Sequence, residues 1–264
     1  MQWLDKVKFR IGKPRECYIN PRVLMYHMVA DRLPYKVYSD HQKVKNFLRV
    51  EPAVFEQQVC WLKENGFSFF MMRDVLRDDL PERSVFLTFD DGFADNFKNA
   101  FPILQKHQAC ATVYLVNNRF KKDWSTDRMT GVASAELNDQ EMLSHDQIRL
   151  MLDSGLVEIG GHTLDHCRLT ELSDSQALEQ LAVSKQEIER LYDTSCISFA
   201  YPFGFYNDRI IPLVERAGYK NACTTEYGTD EDRYAHRYML KRIMVSGNDR
   251  MTKFVHKICY GRDV

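Results

Sequence analysis

The chain has 264 residues, of which 44% are hydrophobic and 28% charged, and its formal net charge is −1. This composition is typical of a globular protein and excludes disordered and fibrous chains. The balanced charge, without a polybasic run, gives no electrostatic footprint for a nucleic-acid partner. The longest apolar stretches fall far short of the roughly 20 residues that a transmembrane helix needs.

The N-terminal segment 1–14 mixes apolar and charged residues and shows no apolar stretch of the kind found in secretory signal peptides. Seven cysteines are scattered along the chain, and none of them forms a C-x-x-C pair. Such a pattern favours reduced thiols over a disulfide framework. We therefore expect a cytoplasmic protein, with peripheral association with a membrane as the alternative.

Short apolar segments predict strands along the whole chain, and helical periodicity lies between them. The predicted strands are 22–28, 67–71, 85–89, 111–116, 157–159, 197–200, 220–224 and 240–245. The predicted helices are 51–65, 95–107, 144–153, 174–192 and 208–217. Gly66 occupies a C-cap position after the first helix, and Ser173 with Gln176 predicts a capping box at the start of the longest one.

The alternation of strands with helices favours parallel pairing, with the helices outside. Seven or eight strands fit a (β/α) barrel better than two domains, and no Pro-, Gly- or Ser-rich linker interrupts the chain. We therefore predict a single-domain, distorted (β/α) barrel over residues 1–264, with its core at about 22–246. Two long loops, 30–50 and 117–143, have a length that is often functional.

A first cluster of polar residues, Asp90, Asp91 and Gly92, closes the third predicted strand. In parallel α/β barrels, side chains at the C-terminal strand ends converge on one site. Consecutive side chains point in different directions, so the two carboxylates can have different roles. The alternative is a tight turn with N-capping aspartates.

A second cluster holds two histidines four residues apart, His162 and His166. This spacing can present both imidazoles to one ion, as in many zinc sites. With Asp91 as a third ligand, the set becomes a His-His-carboxylate arrangement with open coordination positions. The alternative is a pair of surface histidines in a loop.

A third cluster, F-A-Y-P-F-G-F-Y-N at 199–207, again lies at a strand end and forms an aromatic turn at 201–206. Its proline and glycine fix the turn, and its aromatic side chains can wall a pocket for a sugar ring. The alternative is an aromatic turn that serves packing alone.

Together the three clusters resemble the motifs of the polysaccharide deacetylase family, the NodB-homology carbohydrate esterases. T-F-D-D-G lies at 88–92, H-T-L-D-H at 162–166 matches the family's H-[ST]-x-x-H, and Y-P-F-G at 201–204 is similar to its Y-P-x-G variant. Flanking segments are similar as well, V-L-M-Y-H at 23–27 and L-S-x-x-Q-I at 143–148. The resemblance runs from about 23 to 245 and implies a metal-dependent hydrolase on a barrel fold.

The resemblance also implies the role of four residues. One divalent metal ion is held by Asp91, His162 and His166, with Zn²⁺ as the first choice and Co²⁺, Ni²⁺ or Fe²⁺ as alternatives. Asp90 is the implied general base, which takes a proton from water while the ion polarises the acyl carbonyl.

The implied oxyanion donor is the backbone N–H of Phe203, next to Pro202, with Tyr201 in the same substrate-binding turn. Two family residues have no clean counterpart, the late histidine of an L-x-H motif that serves as general acid and the third-motif arginine that orients the base. His27 matches the N-terminal acid of the branch that resembles biofilm exopolysaccharide N-deacetylases. Arg242 is the candidate replacement for the arginine.

The leading hypothesis is a hydrolase that removes acetyl groups from N-acetylated sugars of a polysaccharide or glycan precursor. One alternative keeps the fold and the metal but cleaves another non-peptide C–N bond, in a cyclic amide or imide. The other is a carbohydrate-binding pseudoenzyme, against which the intact carboxylate pair and histidine pair argue.

Overall fold

The computed structural model describes residues 20–33, 46–121 and 140–261, together with 124, 126–127, 132–133 and 136–137. The predictions for segment 1–14 and for most of the first long loop, at 34–45, lie outside these residues. Within the described part, no helix is both long and apolar enough to cross a membrane.

The described residues form strands and helices in alternation. The strands are β1 (Arg22–Tyr26), β2 (Met28–Val29), β3 (Arg49–Val50), β4 (Ser68–Phe70), β5 (Ser84–Phe89), β6 (Ala111–Leu115), β7 (Thr126–Asp127), β8 (Val132–Ala133), β9 (Val157–Gly161), β10 (Ser198–Ala200), β11 (Asn221–Tyr227) and β12 (Leu240–Met244). The helices are α1 (Pro52–Glu64), α2 (Phe101–His107), α3 (His145–Asp153), α4 (Asp174–Tyr192), α5 (Ile211–Arg216) and α6 (Met251–Tyr260).

Seven parallel strands close into a barrel in the order β1-β12-β11-β10-β9-β6-β5, because β1 pairs with both β12 and β5. β4 adds an eighth strand by pairing with the first half of β5. Two small two-stranded sheets, β2 with β3 and β7 with β8, lie outside the barrel sheet. The predicted distorted (β/α) barrel of seven or eight mostly parallel strands is confirmed.

The barrel is closed by side chains and backbone at its N-terminal end. All residues of β1, β5 and β6 are buried, as expected for strands covered on both faces. The segment after β4 crosses this end, where Met72 N–H donates to Thr112 Oγ1 at 2.9 Å and Arg73 N–H donates to Glu158 Oε1 at 2.9 Å. The accessible end is therefore the one where the strands finish.

The long helix α4 begins at its predicted capping box, in which Ser173 Oγ accepts from Gln176 N–H and the Gln176 side chain accepts from Ser173 N–H. Leu181 and Ile188 of this helix are buried, whereas Leu178 and Leu191 are only half-buried. The buried face is completed by small and aromatic residues, Ala177, Ser184 and Tyr192.

Helix α6 was not predicted, and it extends the fold past the expected core end at 246. Phe254 is fully buried and meets Trp61 of α1 edge-on, with ring centroids 6.2 Å apart. Phe254 and Ile258 are both buried and four residues apart, which is the helical spacing that could have revealed this element.

Candidate active site

The three predicted clusters meet at the open end of the barrel. Asp90 and Asp91 follow β5, the two histidines follow or lie just beyond β9, and the aromatic turn follows β10. Because these strands are parallel and β9 is paired with β10, their C-terminal ends lie on the same rim.

Asp90 is a buried carboxylate that is held by Arg242 from β12. The two guanidinium NH groups donate to Oδ1 at 2.7 Å and to Oδ2 at 2.8 Å, which is a bidentate pair. Arg242 is itself fully buried, and its Nε donates to the Thr224 carbonyl at 2.8 Å. Burial by itself raises the pKa of Asp90, but the charge and hydrogen bonds of Arg242 outweigh it and keep the pKa below its ordinary value. Asp90 is therefore an ionised, oriented carboxylate.

Asp91 lies against the two histidines rather than against the arginine. Its Oδ1 is 3.5 Å from His162 Nε2 and 3.3 Å from His166 Nε2, and all three side chains are buried. One ligand atom from each residue lies within 4.8 Å of the others, which is a spacing that one ion can bridge. Burial by itself raises the pKa of Asp91, but His166 and His162 outweigh it and hold the pKa well below its usual range.

The hydrogen bonds around this group leave His162 Nε2 and Asp91 Oδ1 available to bind a metal ion. His162 Nδ1 lies 2.7 Å from the Ala200 carbonyl oxygen, which can only accept, so Nδ1 carries the proton and Nε2 of the neutral ring has a free lone pair. Asp91 Oδ1 is buried and accepts no hydrogen bond of normal geometry within the described part of the chain. A cation at this point would satisfy both atoms, so the donor set fits a divalent ion.

Backbone strain is concentrated at the same place. The described residues include seven non-glycine residues with positive φ, and four of them belong to this site: Asp91 (76°), Thr163 (67°), His166 (52°) and Phe203 (60°). A positive φ is uncommon outside glycine and is a genuine outlier for a bulky side chain. Strain of this kind persists where surrounding structure enforces it, typically at functional sites.

The His166 ring lies between two aromatic side chains. Its centroid is 4.5 Å from that of Phe203 and 5.6 Å from that of Trp124. Trp124 is buried and donates through Nε1 to the Arg119 carbonyl at 3.0 Å. Trp124 was not among the predicted site residues, and the available signal was a tryptophan within the long loop 117–143.

The aromatic turn divides into a buried and an accessible part. Tyr201 is fully buried, and its hydroxyl donates to the Tyr238 carbonyl at 2.9 Å. Its side chain therefore serves packing, which is the alternative for this turn, and does not line a sugar pocket. Tyr206 stacks on Tyr201 and its hydroxyl donates to Glu226 at 2.6 Å. Pro202 is also buried, whereas Phe203 and Phe205 retain accessible surface.

His27 follows β1 on the same rim and is half-buried. Asn96 Nδ2 donates to the His27 carbonyl oxygen at 2.8 Å, which fixes the backbone there. Burial raises the pKa of Asp90, whereas Arg242, then His162 and then His27 lower it. The imidazole of His27 therefore lies within electrostatic reach of Asp90. Its role as general acid stays a prediction.

Another histidine late in the chain, His236, lies at the opposite end of the barrel from Asp90. His236 Nδ1 is 3.3 Å from Asp230 Oδ1. Its neighbour Tyr234 donates through its hydroxyl to the Leu76 carbonyl at 2.7 Å, in the segment that closes the N-terminal end. His236 is therefore remote from Asp90.

Known proteins with related sequences and structures are deacetylases. The polysaccharide deacetylase family model matches residues 77–222. A poly-β-1,6-N-acetyl-D-glucosamine N-deacetylase of Staphylococcus aureus is 27% identical over 239 residues, covering 84% of this chain and 78% of that protein. The deacetylase PplD of Streptococcus pyogenes, solved in complex with acetate, superposes with a TM-score of 0.74 at 25% identity, covering 91% of this chain and 98% of that one. A polysaccharide deacetylase from Bacillus cereus gives a TM-score of 0.69 at 28% identity, covering 90% of this chain and 69% of the other.

Proposed function

Because the chain belongs to the polysaccharide deacetylase family, we propose that it is a metal-dependent hydrolase that removes acetyl groups from N-acetylated sugars of a polysaccharide or glycan precursor. One observation carries the proposal: Asp90, held by Arg242, stands next to the buried group of Asp91, His162 and His166. A binding protein has no need for an oriented base beside a metal-type ligand set.

Asp91, His162 and His166 would hold one divalent ion. Carboxylate and imidazole ligands suit Zn²⁺ first, with Co²⁺, Ni²⁺ or Fe²⁺ as alternatives. When bound, the ion supplies a Lewis acid that polarises the amide carbonyl and lowers the pKa of water.

Asp90 accepts the proton of the attacking water. The bidentate contact with Arg242 keeps the carboxylate ionised and fixes its plane, so the same oxygen faces the water in each turnover. The charge that develops on the substrate oxygen is stabilised by the backbone N–H of Phe203. His27, on the rim beside the base, protonates the departing amine.

Acetate release tests this proposal. The purified protein is treated with a chelator, then incubated with N-acetylglucosamine, its β-1,6- and β-1,4-linked oligomers, and cyclic imides, with and without added Zn²⁺ or Co²⁺. We expect acetate from N-acetylated sugars only in the presence of metal. Hydrolysis of a cyclic imide without acetate release would favour the other C–N hydrolase, and sugar binding without turnover would favour the pseudoenzyme.

Two isosteric variants provide the control. Asp90→Asn should abolish turnover, because the amide cannot accept the proton. The control is Asp165→Asn, in the loop that carries His162 and His166. The Asp165 carboxylate is exposed and accepts hydrogen bonds from Asn118 at 2.7 Å and from Gln180 at 2.6 Å. Asp165→Asn should keep its activity, and equal losses in the two variants would refute the role of Asp90.

A further inference from the structure

Arg168, which no motif identified, and Phe205, which belongs to the predicted aromatic turn, form a partly exposed cation–aromatic pair beside the site. The Arg168 guanidinium carbon lies 5.0 Å from the centroid of the Phe205 ring and 5.6 Å from that of Phe203. Phe205 is 39% exposed, a large fraction for a phenylalanine. Cations at this distance from a ring face are attracted to it.

The pair is connected to the metal-type ligands through one side chain. The centroid of the Phe203 ring is 4.5 Å from that of the His166 ring and 5.6 Å from the Arg168 guanidinium carbon. Through Phe203, Arg168 is therefore one side chain away from His166, and Phe205 packs against the same guanidinium.

The backbone around the pair is held rigidly. A Cβ on Gly204 (φ 77°) would lie 1.9 Å from Thr225 Oγ1, so the turn between Phe203 and Phe205 tolerates only glycine. Thr225 Oγ1 donates to the Phe203 carbonyl at 3.3 Å. Arg168 is oriented by Glu171, with NH1 3.0 Å from Oε1. A preorganised surface of this kind loses little entropy on binding.

Two other exposed aromatic residues, Phe120 and Tyr260, lack this placement. Phe120 also lies under an arginine, at 4.4 Å from Arg119, but its ring neighbours His145 of α3. Tyr260 is 41% exposed on α6, and its ring centroid lies 4.5 Å from that of His256. Phe205 differs from both because it continues the turn that touches His166.

We propose that Arg168 and Phe205 form a subsite for the sugar unit adjacent to the one being deacetylated, an inference that rests on the proposed function. The C–H face of a pyranose can pack on the Phe205 ring, while the guanidinium of Arg168 donates to hydroxyl or acetamide oxygens. Sites for small ligands combine an aromatic surface with a few placed polar groups in this way. The preferred substrate is then an oligomer of N-acetylated hexosamine rather than the monosaccharide.

Equilibrium binding provides the first test. Calorimetric titration compares β-1,6-linked N-acetylglucosamine trimer with the monosaccharide, using wild type, Phe205→Ala, Phe205→Tyr and Arg168→Gln. We expect Phe205→Ala to weaken trimer binding about tenfold, the size of a substantial contact in alanine scanning, and Phe205→Tyr to preserve it. Tyr260→Ala, an aromatic of equal exposure elsewhere, should bind like wild type.

Kinetics provide the second test. The ratio of kcat/KM for trimer to that for monosaccharide should fall about tenfold in Phe205→Ala, because binding energy from a remote unit is then lost. Arg168→Gln should lower the same ratio, which keeps the test informative if one variant folds poorly. Unchanged trimer affinity and an unchanged ratio in both variants would overturn the subsite. A protein that releases no acetate but loses trimer binding in Phe205→Ala would overturn the proposed function and retain the subsite.

Discussion

Replacing Arg242 by methionine removes the positive charge from a fully buried ion pair. The side chains of Arg242 and Asp90 are 0% and 4% exposed, so solvent cannot compensate for the loss. Deleting one partner of such a pair typically costs about 3–5 kcal/mol, because an uncompensated charge stays buried. That is a large part of the roughly 5–15 kcal/mol by which a folded domain is stable.

The cost should depend on pH in a defined direction. In the wild type, the pKa of Asp90 is lowered, so the pair stabilises the fold above the unfolded-state pKa near 4, and this contribution is lost as the pH falls through the folded-state value. In Arg242→Met the largest influence that lowers the pKa of Asp90 is lost, and burial, which raises this pKa, is opposed only by His162 and His27. The stability deficit should therefore be largest at neutral pH and shrink as acidification protonates Asp90.

Urea unfolding at several pH values between 7.5 and 5 measures this deficit. The double variant Arg242→Met/Asp90→Asn carries neither charge of this pair, so its stability should exceed that of the single variant at neutral pH and vary less with pH. In Arg242→Lys, which keeps the charge but not the two-pronged contact, the acid limb of the kcat/KM profile should move to higher pH. A deficit independent of pH, with no recovery in the double variant, would refute the reasoning.

Three further predictions concern the ligands, the acid and the aromatic turn. Asp91→Asn keeps a side chain that tolerates positive φ but loses the charge, so bound metal per chain, measured by elemental analysis at limiting Zn²⁺, should fall well below the wild-type level; full occupancy would contradict the ligand assignment. His27→Ala should lower kcat on amide substrates by at least about 100-fold and affect an activated aryl ester far less, with metal content unchanged; equal losses on both substrates would point to binding or folding instead. Gly204→Ala should lower the melting temperature more than Gly155→Ala, because both glycines have positive φ but only at Gly204 would the new Cβ meet Thr225; equal shifts in thermal unfolding would contradict the steric argument.

Much of the architecture followed from local patterns. The residues of β5 and β9 read as apolar runs that end in polar clusters, and the barrel brings those ends together. Helix α4 was predictable to the residue, because the Ser173–Gln176 capping box fixes its start. Helix α6 was missed although Phe254 and Ile258 carry the spacing of a buried face.

The side-chain orientations at the site did not follow from local patterns. Tyr201 and Phe203 are two residues apart in one aromatic turn, yet Tyr201 lies in the core and Phe203 faces His166. The positive φ of Phe203 separates them, and no sequence rule predicts that conformation for a phenylalanine. The contact of Arg242 with Asp90 spans 152 positions, so it depends on strand order in the barrel.

The position of β1 has a consequence for how the chain acquires its structure. β1 is the first barrel strand to leave the ribosome, yet its partners are β5 and the final barrel strand, β12. Synthesis must therefore have passed β12 before the ring can close, and contacts between distant segments slow folding. Until β12 arrives with Arg242, Asp90 has no counter-charge and the open edge of β1 can pair with another chain. Slowed translation or truncation before β12 should thus favour aggregation.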